Sequence, residues 1–378
     1  MTKVNDQTSY LDYNASAPLR PAVAEAMKNT MLLAGNPSSV HTYGRFARKQ
    51  VDDARDLVAT TVGADPTKLV FTSGGTEANN LALAGAGRTI RLVSGIEHDS
   101  VLAAAPEAVH IPVDQAGVVN TAALDELLAK QNEPALVSVM MANNETGVIQ
   151  PLTEVISIAH NHNALVHCDA VQALGKLAID MASLEIDLMT LSAHKIGGPK
   201  GIGALALRSN VEIEAQLVGG GQEGRRRAGT DNVAAAVGFA EVCVEIKKIE
   251  NEIDRMLHLR NRFEELLRNQ ASNIEIFGHE SPRLVNTCCL RLPGRTSETQ
   301  VIALDLAGIA VSAGAACSSG KVTSSHVLTA MGVSPSAANE SIRVSLGWAT
   351  TENEIEHAAD AWLELYNQTE DRPRRTTE

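Results

Sequence analysis

Aromatic side chains are scarce in this 378-residue chain: two Trp, four Tyr and five Phe make up 3% of it. Any core must therefore be largely aliphatic. Positive charge is also in short supply. Thirty-two Lys and Arg stand against 45 Asp and Glu, for a formal net charge of −13. That argues against stable direct binding to nucleic acid, which needs clustered cations on a surface. Local basic groups occur at Arg225-Arg226-Arg227 and at Arg372, Arg374 and Arg375, the latter in a tail expected to be frayed and solvated. No run of about 18 uncharged apolar residues occurs, so no membrane span is expected. The opening MTKVNDQTSY lacks the apolar centre of a signal peptide. Cysteines number five, an odd count that fits reduced thiols in a cytoplasmic setting.

What is present describes a globular protein, with 44% hydrophobic and 20% charged residues. At about 100–200 residues per domain, the length predicts two domains. Residues 1–20 read as an extended arm. Pro21 to Met31 reads as a helix opened by proline. Arg45 to Val62 reads as an amphipathic helix with Val51, Ala54, Leu57 and Val58 on one face.

One design then recurs: a short apolar run ends in a polar cluster, and a helical pattern follows. Leu69-Val70-Phe71 runs into Thr72 to Glu77, and Ile90 to Val93 runs to Glu97-His98-Asp99. Ala135 to Met141 runs into Asn143 to Gly147, and Ala164 to Cys168 into Asp169 to Gln172. Leu188 to Leu191 runs into Ser192 to Lys195. Strands alternating with helices predict a mostly parallel sheet covered on both faces. Ligands of such sheets bind beyond the carboxyl ends of the strands, so the five clusters are expected on one rim. Ala204 to Leu207 is a further strand, and a glycine loop from Gly219 leads to Thr230. A long helical region from about Val233 to Asn269 marks the expected domain boundary. Beyond it, strands at Val285 to Leu292 and Ala310 to Ser312 predict a smaller α+β unit. Its helices are expected at Ser297 to Ala307, His326 to Met331 and Thr351 to Tyr366.

Several residues could carry chemistry, each with a plainer alternative. Lys195 stands where a buried strand gives way to a glycine-rich loop. A lysine there loses its proton more easily than one in water, and a neutral amine can hold an aldehyde cofactor as a Schiff base. A surface lysine in a turn is the competing reading. Gly74-Gly75-Thr76-Glu77 precedes a helix and suits a phosphate, although the same residues serve ordinary turns. Asp169 suits a protonated pyridine nitrogen, or caps the next helix. His98 and His194 can stack on a planar ring or relay protons, or sit satisfied in a core. His160, His162 and His167 match no ordinary metal-ligand spacing. Cys317 is flanked by small residues and is open to act as a nucleophile if its thiolate is favoured. Cys168, Cys243, Cys288 and Cys289 sit in apolar runs and read as core. Arg343 can clamp a carboxylate or form a surface ion pair.

Taken together, YLDYNASAP, GNPSSVHTYG, FTSGGTEANN, EHDSV, NNETG, HCDAVQALGK, LSAHKIGGPKGIG, GGGQEGRRRAGT, SAGAACSSG and SIRVSLG resemble, in order, the NifS/IscS-like cysteine desulfurases of the class V aminotransferase family. The resemblance implies an α/β fold-type I pyridoxal-phosphate-dependent transferase. Its large domain, residues 15–250, would hold a mostly parallel seven-stranded sheet. Residues 1–14 and 251–378 would form the smaller α+β domain.

The resemblance also implies roles. Lys195 matches the Schiff-base lysine, and Gly75, Thr76, Ser192 and His194 match contacts to the cofactor phosphate. Thr230 matches a phosphate ligand given across a homodimer interface. Asp169 matches the partner of the ring nitrogen, Gln172 the contact to the ring hydroxyl, and His98 the stacking histidine. Asn144 and Arg343 match groups that hold the substrate carboxylate, and Cys317 the catalytic nucleophile. Ala315-Ala316 before that cysteine and the unbroken Arg225 to Arg227 depart from the usual pattern. The implied reaction takes L-cysteine to L-alanine and leaves a persulfide on Cys317. An acceptor such as an iron–sulfur scaffold, or a tRNA thiolation pathway, would receive the sulfur. No metal site is implied beyond an iron–sulfur ligand that Cys317 could share with a partner. Arg343 and His98 are expected to make the thiolate's surroundings electropositive. A selenocysteine lyase or another class V enzyme is the alternative.

Overall fold

Alternation along the strands places the main sheet between two apolar layers. The computed structural model of the chain describes residues 8–248, 250–314 and 324–370. In chain order the strands are β1 (Ser9–Tyr10), β2 (Leu69–Thr72), β3 (Ile90–Ser94), β4 (Val109–Ile111), β5 (Ala135–Ser138), β6 (Leu165–Asp169) and β7 (Leu188–Ser192). They continue as β8 (Gly203–Leu207), β9 (Glu275–Phe277), β10 (Thr287–Arg291), β11 (Ile309–Ala310), β12 (Ser312–Ala313) and β13 (Ser341–Ser345). A seven-stranded sheet runs β2-β8-β7-β6-β5-β3-β4. β8 alone opposes the rest, pairing antiparallel with both β2 and β7. On one face, Leu69, Leu92, Val137, Met189 and Ala204 join a large aliphatic core; on the other, Val70, Val93, Leu136, Leu188 and Leu205 join a second. This period of two, buried on both sides, is why the strands read as unbroken apolar runs.

A four-stranded antiparallel sheet, β12-β13-β10-β9, packs against the helices Glu250–Gln270, Ser297–Leu306 and Glu352–Glu370. Its core collects Phe263, Cys288, Leu290, Ile342 and Trp362, and it also includes Leu11 from the arm. β1 of the arm pairs in parallel with β11, and Asp12 bridges to Ser345. Gly347 is required where Tyr13 crosses β13's exit: an added Cβ would lie 1.8 Å from the tyrosine ring.

Two expectations need correction. The single helical region from Val233 to Asn269 is two helices, Val233–Ile246 and Glu250–Gln270. The first is apolar nearly all round and buries Ala235, Phe239 and Val242 in the large core. The second turns Leu259, Phe263 and Leu267 to the smaller core. One straight rod could not serve both. The strand read at Ala310 to Ser312 is likewise split at Val311, because β11 pairs with the arm and β12 with β13.

Candidate active site

The carboxyl ends of β2, β3, β5, β6 and β7 meet on one rim, around a cavity of about 290 Å³. Gly203 opens β8 at this rim because nothing larger fits: an added Cβ would lie 2.6 Å from the Gly74 backbone and the Leu191 carbonyl. The structure brings together on this cavity Gly75, Thr76, His98, Asn144, Asp169, Gln172, Ser192, His194, Lys195 and Arg343. It does not bring Thr230 there, which lies exposed in the loop beyond Gly219. Cys317 lies outside the described residues.

Lys195 follows β7 in the short helical turn Ala193–Lys195. Its Nζ donates to the carbonyls of Asn14 at 2.6 Å and Ala15 at 3.0 Å, so the arm holds the amine in place. Asp169 ends β6, 6% exposed. Its Oδ2 accepts from Asn79 Nδ2 at 2.8 Å and its Oδ1 from the Val171 N–H at 2.9 Å. Among the described residues no ion pair is formed to it. Both of these partners are neutral donors, an arrangement that suits a cationic ligand.

The helix Gly75–Gly85 starts on Gly74, with no side chain capping its first amides. Eleven residues of aligned peptide dipoles end there, and Gly75 and Thr76 face the cavity. Glu77 accepts from the Ser73 N–H at 2.7 Å and pairs with Arg227 at 2.8 Å, fixing this turn. Four polar atoms of cavity-lining residues, Asn79 Oδ1, Asn144 Oδ1, Ser192 Oγ and Arg343 Nε, are buried with no partner among the described residues. A native interior rarely tolerates that unless a ligand completes the bonds. Amine, carboxylate, open helix start and orphaned polar atoms together fit pyridoxal phosphate, an aldehyde joined to a basic ring and a dianion.

Burial pulls His98 below the ordinary imidazole value, against the raising effect of Asp169. Nδ1 accepts the Ser100 N–H at 3.1 Å, which places the proton of the neutral ring on Nε2. His98 is therefore neutral near pH 7 and does not supply the positive charge expected of it. Burial, with Lys195 and Lys200 adding, pulls His194 down to about 4. It too is a neutral donor or acceptor rather than a cation. Arg343 is 3% exposed; it donates to the Asn144 carbonyl at 3.1 Å and pairs with Asp12 at 2.8 Å, while its Nε has no partner among the described residues.

Reading the sequence by residue type missed Asp12, Asn14, Asn79 and Ser100. Asn14 acts through its backbone carbonyl, which no side-chain pattern reveals. Asn79 could have been found: it lies three residues beyond Thr76 on the same helix face. The three histidines weighed as metal ligands each have other partners. His160 pairs with Asp187, His162 with Asp125, and His167 bonds Ser138 and Thr190. Among the described residues no three metal-ligating side chains converge. Cys168, Cys243, Cys288 and Cys289 are buried, and burial pushes every one of these thiols up, Cys243 to about 12.

The aminotransferase class-V family model matches residues 9–357. The cysteine desulfurase IscS of Dictyoglomus turgidum is 38% identical over 366 residues, 93% of this chain and 92% of that protein. A NifS-like protein from Rickettsia africae, solved by X-ray, aligns with a TM-score of 0.89 at 36% identity, covering 95% of this chain and 99% of that one. SspA, solved in complex with cysteine, aligns with a TM-score of 0.78 at 30% identity, covering 90% of this chain and 99% of that one.

Proposed function

The chain belongs to the aminotransferase class-V family, and we propose from that premise how its residues divide the work of a cysteine desulfurase. It is a pyridoxal-phosphate-dependent enzyme that takes L-cysteine to L-alanine and passes the sulfur on. The observation that carries the assignment of roles is one cavity shared by Lys195, Asp169 and the uncapped start of the helix Gly75–Gly85.

Pyridoxal phosphate supplies an aldehyde and a ring that takes up the electron pair set free at the substrate α-carbon. Lys195 would hold that aldehyde and, with its amine free, would move the proton at the α-carbon. Asp169 holds a proton on the ring nitrogen. The amides of Gly75 and Thr76, with Ser192, His194 and the partner subunit's Thr230, hold the phosphate. His98, as a neutral imidazole, would pack on the ring, and Gln172 would hold the ring hydroxyl. Asn144 and Arg343 hold the substrate carboxylate. The Cys317 thiolate takes the sulfur: an S–S bond forms, the substrate Cβ–S bond breaks, and the electron pair left on Cβ is protonated to the methyl group of alanine. The other four of the five cysteines are buried, with thiols pushed up, which supports Cys317 in this role.

The core under the four-stranded sheet, separate from the two that flank the main sheet, supports dividing the chain into residues 15–250 and residues 1–14 with 251–378. A homodimer is supported by exposed apolar residues along one stretch, Met31, Leu32, Val40, Tyr43 and Phe46, and again at Val218 before Thr230. The acceptor is an iron–sulfur scaffold or a tRNA thiolation pathway. A cytoplasmic location fits the four free thiols.

Cys317→Ala tests this division of roles. Persulfide and alanine formation from L-cysteine should vanish, while the visible absorbance of the bound cofactor stays. Turnover at the wild-type rate would contradict the role of Cys317. Supplying L-selenocysteine beside L-cysteine decides the alternative, since a lyase confined to selenium would leave cysteine untouched.

A further inference from the structure

Lys176 is a buried amine to which none of the roles above gives a task. It lies in the turn that follows β6 and is 7% exposed. Its Nζ donates to two oxygens of one residue, the Gln172 carbonyl at 3.0 Å and the Gln172 Oε1 at 3.1 Å. Gln172 Nε2 donates in turn to the Asn14 carbonyl at 2.9 Å, the carbonyl that also accepts from Lys195 at 2.6 Å. Lys176 is thus joined to Lys195 through a side-chain amide and a shared carbonyl. A second cavity, of about 30 Å³, is lined by both lysines. It has room for a water to take the third hydrogen of the Lys176 amine.

An amide can present either its oxygen or its NH2 group, and the two ends bind opposite partners. A protonated lysine has only hydrogens to give, so it holds the amide in one orientation, with Oε1 turned to Lys176 and Nε2 turned away. We propose that Lys176 is a positioning residue that locks the Gln172 amide with its N–H groups towards the cofactor cavity and, through Asn14, sets the place of the Lys195 amine. The inference rests on the roles given above to Gln172 and Lys195.

Burial, with Lys195 and Arg343 adding, pulls the Lys176 amine down to about 7. The charged and titratable groups around it are Lys195 after β7, Arg343 on β13, and Tyr13, Arg20 and Glu252 along the small cavity, with Arg20 and Glu252 paired at 2.9 Å. Like charges dominate its surroundings. A proton on Lys176 therefore discourages one on Lys195.

Lys176→Met fills the same space with no donor and no charge. In the holoenzyme, the cofactor dissociation constant should rise about tenfold, the worth of one hydrogen bond. The pH midpoint of the cofactor's visible absorbance should move up by about one unit, because a neighbouring cation is gone. Lys176→Arg, which keeps donors and charge, should bring the midpoint back towards wild type. Lys176→Met with an unchanged midpoint and dissociation constant overturns the proposal. Should that variant not fold, Lys176→Gln, too short to reach both oxygens, carries the same expectations and the same refutation. A wild-type protein that shows no cofactor absorbance and makes no alanine would instead sink the roles of Lys195 and Gln172, so the two failures are distinguishable.

Discussion

Replacing Asp169 by asparagine separates the charge of this residue from its place in the fold. The Val171 N–H still finds an oxygen at position 169. The new NH2 group meets Asn79 Nδ2, a donor against a donor at 2.8 Å. Asn79 can turn over to relieve this, since its Oδ1 has no partner among the described residues, though it then gives up its bond to Ser100, whose hydroxyl hydrogen goes to His98 Nδ1. The cofactor-free protein should therefore lose little, and removing an unpaired buried charge offsets part of that loss. Its thermal midpoint should stay within about 3 °C of wild type. The effect on chemistry is larger. Opposite unit charges about 3 Å apart at an effective dielectric constant near 20 attract by about 5 kcal/mol. An amide dipole keeps part of this, so about 3–4 kcal/mol should be lost, or about 10²–10³-fold in kcat. Alanine formation from L-cysteine at saturating cofactor reads the rate, and thermal denaturation of the cofactor-free protein reads the fold. A kcat within threefold of wild type, or collapse of the cofactor-free protein, would refute the assignment of Asp169 to the ring nitrogen.

Two further outcomes are expected. Burial lifts Glu145 from an ordinary 4.5 to about 7, where it accepts from the Ser325 hydroxyl at 2.6 Å. A carboxyl raised on folding contributes stability that is complete below its unfolded value and is lost as pH rises through the folded one, here roughly 3 kcal/mol between about pH 4.5 and 7. Glu145→Gln keeps an acceptor for Ser325 and should flatten the fall of thermal midpoint with pH across that window; curves parallel to wild type would contradict it. If Thr230 serves the partner's site, the native mass should be that of two chains, and Thr230→Ala should weaken cofactor binding without shifting that mass. A monomer that binds the cofactor fully would end this reading.

Much of the site was legible because each strand announces its end: an apolar run stops at Thr72, Ser94, Asp169 or Ser192, and the polar residues that follow have nowhere to go but the rim. The helix start at Gly75 and the amine at Lys195 were legible for the same reason. Other features were not. The break between Ile246 and Glu250 depends on which of two cores each helix faces, a tertiary matter that helix periodicity does not encode. β9 is a three-residue edge strand, too short for its alternation to show. The neutrality of His98 follows from its burial, which residue type does not reveal. The hold on Lys195 is exerted by backbone carbonyls of the arm, about 180 residues away in sequence.

Borohydride reduction of the holoenzyme, followed by peptide mass spectrometry, asks most directly which amine bonds the cofactor. The mass of reduced pyridoxal phosphate should be found on Lys195, and the label should be lost in Lys195→Ala. Label fixed on Lys176 or any other lysine of the wild-type protein would contradict the assignment on which every other role depends.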